Sequence, residues 1–404
     1  MKKSILTLAV FISFMANAQE LPKNFNELVK NIEPQLIGWR HHFHEFPELS
    51  NREFNTGKYI ADYLRTIGLE VKHPFAKTGV VAILKGNKPG PVIGLRADID
   101  ALPVTERAPI AFASKVKADY NGQQVNVMHA CGHDVHTTCL LGAAKILSEL
   151  KNEWEGTVKL IFQPGEEKNP GGASLMIADG ALENPKPQSI FALHVHPGLP
   201  LGKLSFRPGM SMASADEIYI TIKGKGGHAA APHLTADTIL IAAHIVTSLQ
   251  QIISRNNNPT NPSVLSITAI NGGSATNIIP SEVKLMGTFR AMNEEWRFAA
   301  HKLIIKHVTQ LADTMGATAE IIIDVGYPFV LNDEALYEVA KKNGEEYIGV
   351  ENVETTELRM GAEDFGYYTH HMPGCFFRLG VGNIEKGIIS NVHTPTFNID
   401  ESAI

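Results

Sequence analysis

The sequence predicts an α/β fold: a large catalytic domain on a covered, mixed sheet, interrupted by a smaller, inserted ferredoxin-like α+β satellite domain. Two observations carry this. Helical periodicity alternates with short, nearly continuous apolar runs, the pattern of strands buried on both faces. After Asp216 the runs switch to two-residue alternation, as in a sheet with one solvated face. They then follow a β-α-β-β-α-β order over about 110 residues.

Asn24 to Phe46 reads as a helix, and Glu53 to Gly68 as a second ending at a glycine cap. Val80–Leu84 and Val92–Ala97 read as strands separated by the turn-rich GNKPG. Thr137 to Leu150, apolar and alanine-rich, predicts a buried helix. Val158–Gln163 and Ile190–Val195 predict buried strands. In the inserted part, strands are expected at Glu217–Lys223, Val264–Ile270, Val283–Ala291 and Thr318–Asp324, and helices at Ala236–Ser254 and Asn293–Met315. The domain reading is a leader over 1–18, the large domain over 19–213 and 326–404, and the satellite over 214–325.

The leader is read from Lys2 and Lys3, a short apolar run over Ile5–Met15, and the A-x-A signal Ala16-Asn17-Ala18. That run is too short to cross a bilayer. The expectation is an exported chain cut after Ala18, with no membrane span thereafter.

The hydrophobic share is 44%, enough for packed cores, and the formal charge is −6. Without a basic run or a basic-aromatic stripe, nucleic acid is not an expected partner. Three cysteines, Cys131, Cys139 and Cys375, are too few and odd in number for a disulfide framework.

Cys131 stands in MHACGHDVH, two residues from His133. Thiolate and imidazole suit zinc and similar ions, and an extended loop would aim both at one ion. FQPGEE places Glu166 and Glu167 side by side after a buried strand. Such a pair favours a counter-charge or a shifted pKa, although alone it also reads as two solvated glutamates. FALHVHP ends an apolar run at His194 and His196, and NVHTPTF brings His393 near the C-terminus. Together these supply Cys, His, Glu, His and His. Five ligands exceed one open catalytic site but suit two ions sharing a bridging group.

The sequence resembles the amidohydrolase branch of the aminoacylase and carboxypeptidase-like metallopeptidases, which includes hippurate hydrolases and indole-acetyl-amino-acid hydrolases. The likeness runs in order through WRHHFHEFPELS, RADIDALP, MHACGHDVHTTCLLGAA, FQPGEE, ALHVHP, GKGGHAAAPH, NIIP, GTFRA, MGAEDF and VHTPTF. It implies two divalent ions per subunit (manganese, zinc, cobalt or nickel) on Cys131, His133, Glu167, His194 and His393. It implies Glu166 as general base, and a homodimer through the satellite domain. His228 would stabilise the oxyanion, from the partner subunit in one arrangement. Asn277 would face substrate, and Arg290 would meet its carboxylate, which its planar fork suits. Where other branches carry a His-x-Asp ligand pair this chain has RAD, so Asp98 and Asp100 are expected to support ligands or to pair with Arg96. His136, His196 and His233 are expected to support ligands or to line the pocket.

The implied activity is hydrolysis of the amide bond of N-acyl amino acids, hippurate-like or N-acetylated. An exported dipeptidase or carboxypeptidase, and a non-catalytic metal- or solute-binding protein, are the two rival readings.

Overall fold

The computed structural model describes residues 21–404, so the leader expected over 1–18 lies outside the described residues. The main sheet has eight strands. In spatial order they are Glu70–Phe75, Gly79–Lys85, Thr157–Gln163, Val92–Asp98, Ser189–Pro200, Gly374–Gly382, Leu204–Phe206 and Val353–Thr355. The sheet is mixed. Val92–Asp98 runs parallel to Thr157–Gln163 and to Ser189–Pro200, and Ser189–Pro200 runs parallel to Gly374–Gly382. Gly79–Lys85 is antiparallel to its neighbours.

Both faces of this sheet are covered, which is why its strands read as continuous apolar runs. Alternate residues of Gly79–Lys85 go to opposite sides. Val80, Ala82 and Leu84 pack with Ile32, Leu36, Trp39, Ile60 and Leu141 from the helices Phe25–Glu45, Phe54–Thr66 and His133–Glu149. Val81 and Ile83 pack on the other side with Met176, Phe365 and Tyr368.

The helix expected from Thr137 begins at His133. The loop expected to hold both Cys131 and His133 therefore holds only Cys131, and His133 opens the helix. Gly132 makes the transition with φ of 89°, and a Cβ there would stand 2.4 Å from Val195 Cγ2. Only glycine satisfies both conditions.

Between 216 and 325 the chain forms a four-stranded antiparallel sheet ordered Ser263–Asn271, Glu282–Ala291, Asp216–Lys223, Thr318–Val325. Ile218, Ile220 and Ile222 face the helices Thr238–Gln251 and Glu294–Thr314, while Tyr219, Met286 and Ile322 on the opposite face are exposed. Asp237 and Asn293 cap the two helices by accepting backbone N–H bonds. Two small pairings had no clear sequence signal. One is the hairpin Lys117–Tyr120 with Gln123–Asn126; the other is the short arm Gly227–His228 with Ile278–Ile279.

Candidate metal centre and active-site cavity

The site lies where the carboxyl ends of parallel strands meet, the usual place for ligands in an α/β sheet. Val92–Asp98 delivers Asp98 and, just beyond it, Asp100. Thr157–Gln163 leads into the turn carrying Glu166 and Glu167. Ser189–Pro200 carries His194.

One donor atom each from Cys131, His133 and His194 lie within 4.8 Å of one another, and so do those of Cys131, Glu167 and His393. Cys131 joins the two groups. His194 Nε2 is 3.4 Å and His393 Nε2 3.2 Å from Cys131 Sγ. His393 Nε2 is 3.1 Å from Glu167 Oε1, without hydrogen-bond geometry.

The imidazoles are oriented from behind. His133 Nδ1 donates to the Asp100 carbonyl at 2.9 Å, which leaves a lone pair on Nε2 pointing into the cluster. His194 Nδ1 donates to the Val195 carbonyl at 2.7 Å and likewise frees Nε2. Both His133 Nε2 and Glu167 Oε1 are buried without a hydrogen-bond partner. Buried polar atoms without partners are costly. A divalent cation would satisfy both, and the donor types are those such ions take.

The electrostatics agree. Burial holds His194 neutral, well below its usual range, as a ligand must be. Burial opposes a charge on His133, yet Asp98, Asp100 and Glu167 raise it to about 10, a negative field that would equally attract an ion. Burial and the carboxylates of Glu167, Glu166 and Asp98 push the Cys131 thiol well above its usual range, so its thiolate needs a cation beside it.

His136 belongs to the support. Its Nδ1 donates to Asp98 Oδ1 at 2.6 Å and its Nε2 accepts the Val195 N–H at 2.9 Å. With both nitrogens engaged it has no lone pair for an ion, although it sits in a group with Asp98 and His133. Asp98 also pairs with Arg96 at 2.8 Å. Asp100 accepts from the backbone N–H of Glu166 and of Glu167, both at 3.1 Å, and from Ser50 Oγ at 2.6 Å. One carboxylate thus ties His133 to the glutamate turn. The turn's Gly165 has φ of 63°, and its N–H donates to Glu53 at 2.8 Å.

Glu166 is buried, and the Tyr327 hydroxyl donates to its carbonyl oxygen. Burial, then the charges of Glu363, Glu167, Asp364 and Asp98, raise its carboxyl well above the usual range. Glu363 and Asp364 are balanced by Arg96 at 3.0 and 2.8 Å, whereas Glu166 forms no ion pair among the described residues. It is a carboxyl poised to hold a proton.

These residues border a cavity of about 740 Å³ that includes Cys131, Glu166, Glu167, His194, Arg290 and His393. A small ligand needs a space of this size. His228 and Asn277 are placed elsewhere. They sit together on the exposed two-stranded arm, where the Ala229 N–H donates to the Asn277 carbonyl at 3.0 Å, and neither lines this cavity. His196 lines it beside Arg359; His233 lies exposed in a short helical turn beyond it. Sequence reasoning missed Tyr327, Arg359 and Arg378. It quoted MGAEDF without giving Glu363 and Asp364 a part.

The profile of peptidase family M20/M25/M40 matches residues 94–404. Thermostable carboxypeptidase 2 of Saccharolobus solfataricus is 39% identical over 95% of this chain and 95% of its own. The N-acetyl-L-cysteine deacetylase of Bacillus subtilis is 37% identical over 93% and 86%. The IAA-amino acid hydrolase ILR1-like 4 of Arabidopsis thaliana is 38% identical over 95% and 86%. Among solved structures, a dinuclear metal binding peptidase from the M20 family of Bacillus subtilis superposes with a TM-score of 0.76 at 35% identity, covering 93% of this chain and 94% of its own.

The expectation of an exported protein is corrected here. Its leader lies outside the described residues. Neither the described fold nor the family match, which spans residues 94–404, supports a leader, and the expectation is withdrawn.

A Cys-His-Glu-His-His donor set, a protonatable glutamate beside it and full-length relatives therefore agree: this chain is a hydrolase of peptidase family M20/M25/M40.

Proposed function

We propose that the protein hydrolyses the amide bond of small N-acylated amino acids. The observation that carries this reading is Glu166, a buried carboxyl with a raised pKa at the edge of a five-donor cluster. Relatives named for removing the N-acetyl group of cysteine and for hydrolysing IAA-amino acids support the substrate class.

Cys131, His133, Glu167, His194 and His393 would hold two divalent ions of the manganese, zinc, cobalt or nickel type, with Cys131 common to both groups. When bound, such ions polarise a carbonyl and ease the ionisation of water. The chain's own work is proton handling and positioning. Glu166 takes a proton from the attacking water and returns it to the leaving amine, the double duty that a tuned carboxyl performs. Asp100 and Tyr327 hold its backbone from two sides. Arg290 lines the cavity, with Nε bonded to Thr288 Oγ1 at 3.0 Å, and offers its remaining donors to the substrate carboxylate.

Two copies pair through the satellite domain and bring His228 and Asn277 of each arm to the partner's cleft. The exposure of that arm, with Ile278 57% exposed, supports this arrangement. A carboxypeptidase-type activity on short peptides is the second reading, favoured by the carboxypeptidase relative.

The test is a panel of N-acetyl, N-benzoyl and dipeptidyl amino acids with manganese, zinc or chelator. Metal-dependent release of amino acid from the acylated compounds supports the proposal. Release from dipeptides alone would replace it with the second reading.

A further inference from the structure

Buried guanidinium groups in this chain are paired with carboxylates. Arg40 meets Glu401 at 2.6 Å, Arg96 meets Asp98 and Asp364 at 2.8 Å, and Arg297 meets Asp216 at 2.5 Å. Unpaired buried charge is costly, so the pattern is the expected one.

Arg378 breaks it. It is 5% exposed and stands on Gly374–Gly382 in register with His194 of the neighbouring strand. Among the described residues its one hydrogen bond runs from Nη2 to the Met212 sulfur at 2.7 Å, a weak acceptor, and its guanidinium lies 4.7 Å from the Phe376 ring centre. It forms no ion pair among the described residues. The nearby Glu363 is engaged by Arg96 and by the Phe365 N–H, both at 3.0 Å. Arg359 is exposed at the mouth of the same cavity: its Nη2 is 3.2 Å from His196 Nε2, and it too forms no ion pair among the described residues. Both arginines line the cavity that holds the donor cluster. Burial, with the charge of Arg359, lowers Arg378 to about 10 against the opposing charges of Glu363 and Glu166.

The cavity's carboxylates, Glu166, Glu167, Asp216, Glu217 and Glu363, form no ion pair with either arginine among the described residues, so the two cations have a chemical complement: an anion brought by the ligand. Arg290 is a separate cation. It stands on the four-stranded sheet, among Thr288, Asp216 and Glu217, and already suits the α-carboxylate. Arg378 and Arg359 rise from the main-sheet side.

We propose that Arg378 and Arg359 form a second carboxylate receptor, so that the preferred substrate is an N-acyl amino acid carrying a second carboxylate. The inference rests on the N-acyl amino acid hydrolase reading. The second carboxylate belongs either to an acidic amino acid or to a dicarboxylic acyl group; the receptor chemistry is common to both. A planar fork within a desolvated wall favours a carboxylate over a neutral side chain by a charge-assisted, bidentate contact.

The experiment compares kcat/KM for N-acetyl-L-alanine, N-acetyl-L-glutamate and N-succinyl-L-alanine in wild type, Arg378→Met, Arg378→Lys and Arg359→Gln. Wild type should prefer at least one diacid by about tenfold or more, the size of one strong charged contact. Which diacid wins identifies the source of the carboxylate. The diacid-to-monoacid ratio should fall about tenfold in Arg378→Met and in part in Arg359→Gln. Arg378→Lys, which keeps charge without the fork, should be intermediate and covers the case in which the methionine variant does not fold. A wild-type ratio near one, or a ratio unmoved in the folded variants, overturns the receptor.

Failure to cleave any of the three would count against the hydrolase reading and would leave the receptor to a binding measurement. Calorimetry on chelator-treated protein should then show N-acetyl-L-glutamate or N-succinyl-L-alanine binding more tightly than N-acetyl-L-alanine, with the difference lost in Arg378→Met. Equal binding of all three would overturn it.

Discussion

Nδ1 of His133 donates to the backbone carbonyl of Asp100 at 2.9 Å and lies 3.2 Å from the Asp100 carboxylate. The same side chain accepts the N–H bonds of Glu166 and Glu167. Asp100 therefore fixes a candidate ligand and the candidate base in one frame. Asp100→Asn replaces one accepting oxygen with a donor, which must face an N–H or Ser50. Metal affinity should fall about 10–100-fold, the usual cost of losing such support. Metal titration by calorimetry, with circular dichroism to verify folding, checks this. Unchanged affinity would mean that the carbonyl contact alone orients His133.

Glu166→Gln separates catalysis from assembly. If Glu166 shuttles the proton, turnover should fall by about 10²–10⁴-fold with bound metal retained. Burial, then the like charges of Glu363, Glu167 and Asp364, disfavour its charged form, and a neutral amide carries neither cost. The metal-free variant should melt at or above the wild-type temperature. Stopped assays, metal analysis and thermal melts form the test. Near-normal turnover would remove Glu166 from its assigned role.

Much of this arrangement was readable before any coordinates, for definite physical reasons. The strands at 79–85 and 157–163 are covered on both faces, so the first reads as an unbroken apolar run and the second is broken only by Lys159. Cys131 stands out among histidines in the sequence, whereas Glu167, His194 and His393 are singled out only by the family resemblance. What escaped depends on contacts between residues far apart in sequence. Tyr327 reaches Glu166 from the end of the four-stranded sheet, 161 positions away. Arg378 sits in an ordinary strand sequence, and its lack of an acidic partner is visible only once the cavity exists. The early start of the helix at His133 was hidden because HDVH has no apolar stripe. Gly132 and the Val195 contact set that boundary. His228 carried a strong motif signal, yet it lies off its own chain's cavity, since a motif states residue type and not which subunit's cleft it serves.

The junction of the two sheets rests on Asp216. Arg297 holds it at 2.5 and 2.9 Å, and His301 lies 2.8 Å away. Against the opposing effect of burial, His301 and Arg297 keep its carboxyl below the usual range. Around pH 3–4 the unfolded chain, with an aspartate pKa near 3.9, therefore binds more protons than the native one. The contribution is fully present above the unfolded pKa and is lost as pH falls through the folded one. Arg297→Ala strands a buried carboxylate and should cost about 3–5 kcal/mol at pH 7. That difference should shrink as acid neutralises Asp216. Urea unfolding of both proteins at pH 7 and pH 3.5 tests it; a pH-independent difference would assign the loss to packing of the arginine stem.

The position of His228 makes a prediction about who serves whom. Its arm is exposed, and neither His228 nor Asn277 lines the cavity of the same chain. If His228 acts in the partner's cleft, His228→Ala and Glu166→Ala damage different clefts of a mixed dimer. Each parent would have both clefts defective. In a mixed dimer, the cleft keeping Glu166 receives His228 from the other protomer and is whole, while the second cleft lacks both. Random re-pairing makes half the dimers mixed, each with one intact cleft, so activity should recover to about a quarter of wild type. The two variants would be purified separately, combined in equal amounts, partly dissociated and allowed to re-pair, with activity followed against unmixed controls. Recovery toward that fraction would show catalysis shared across the interface. Exchange verified by mass spectrometry without any recovery would put His228 in its own chain's cleft, reached by a movement of the arm.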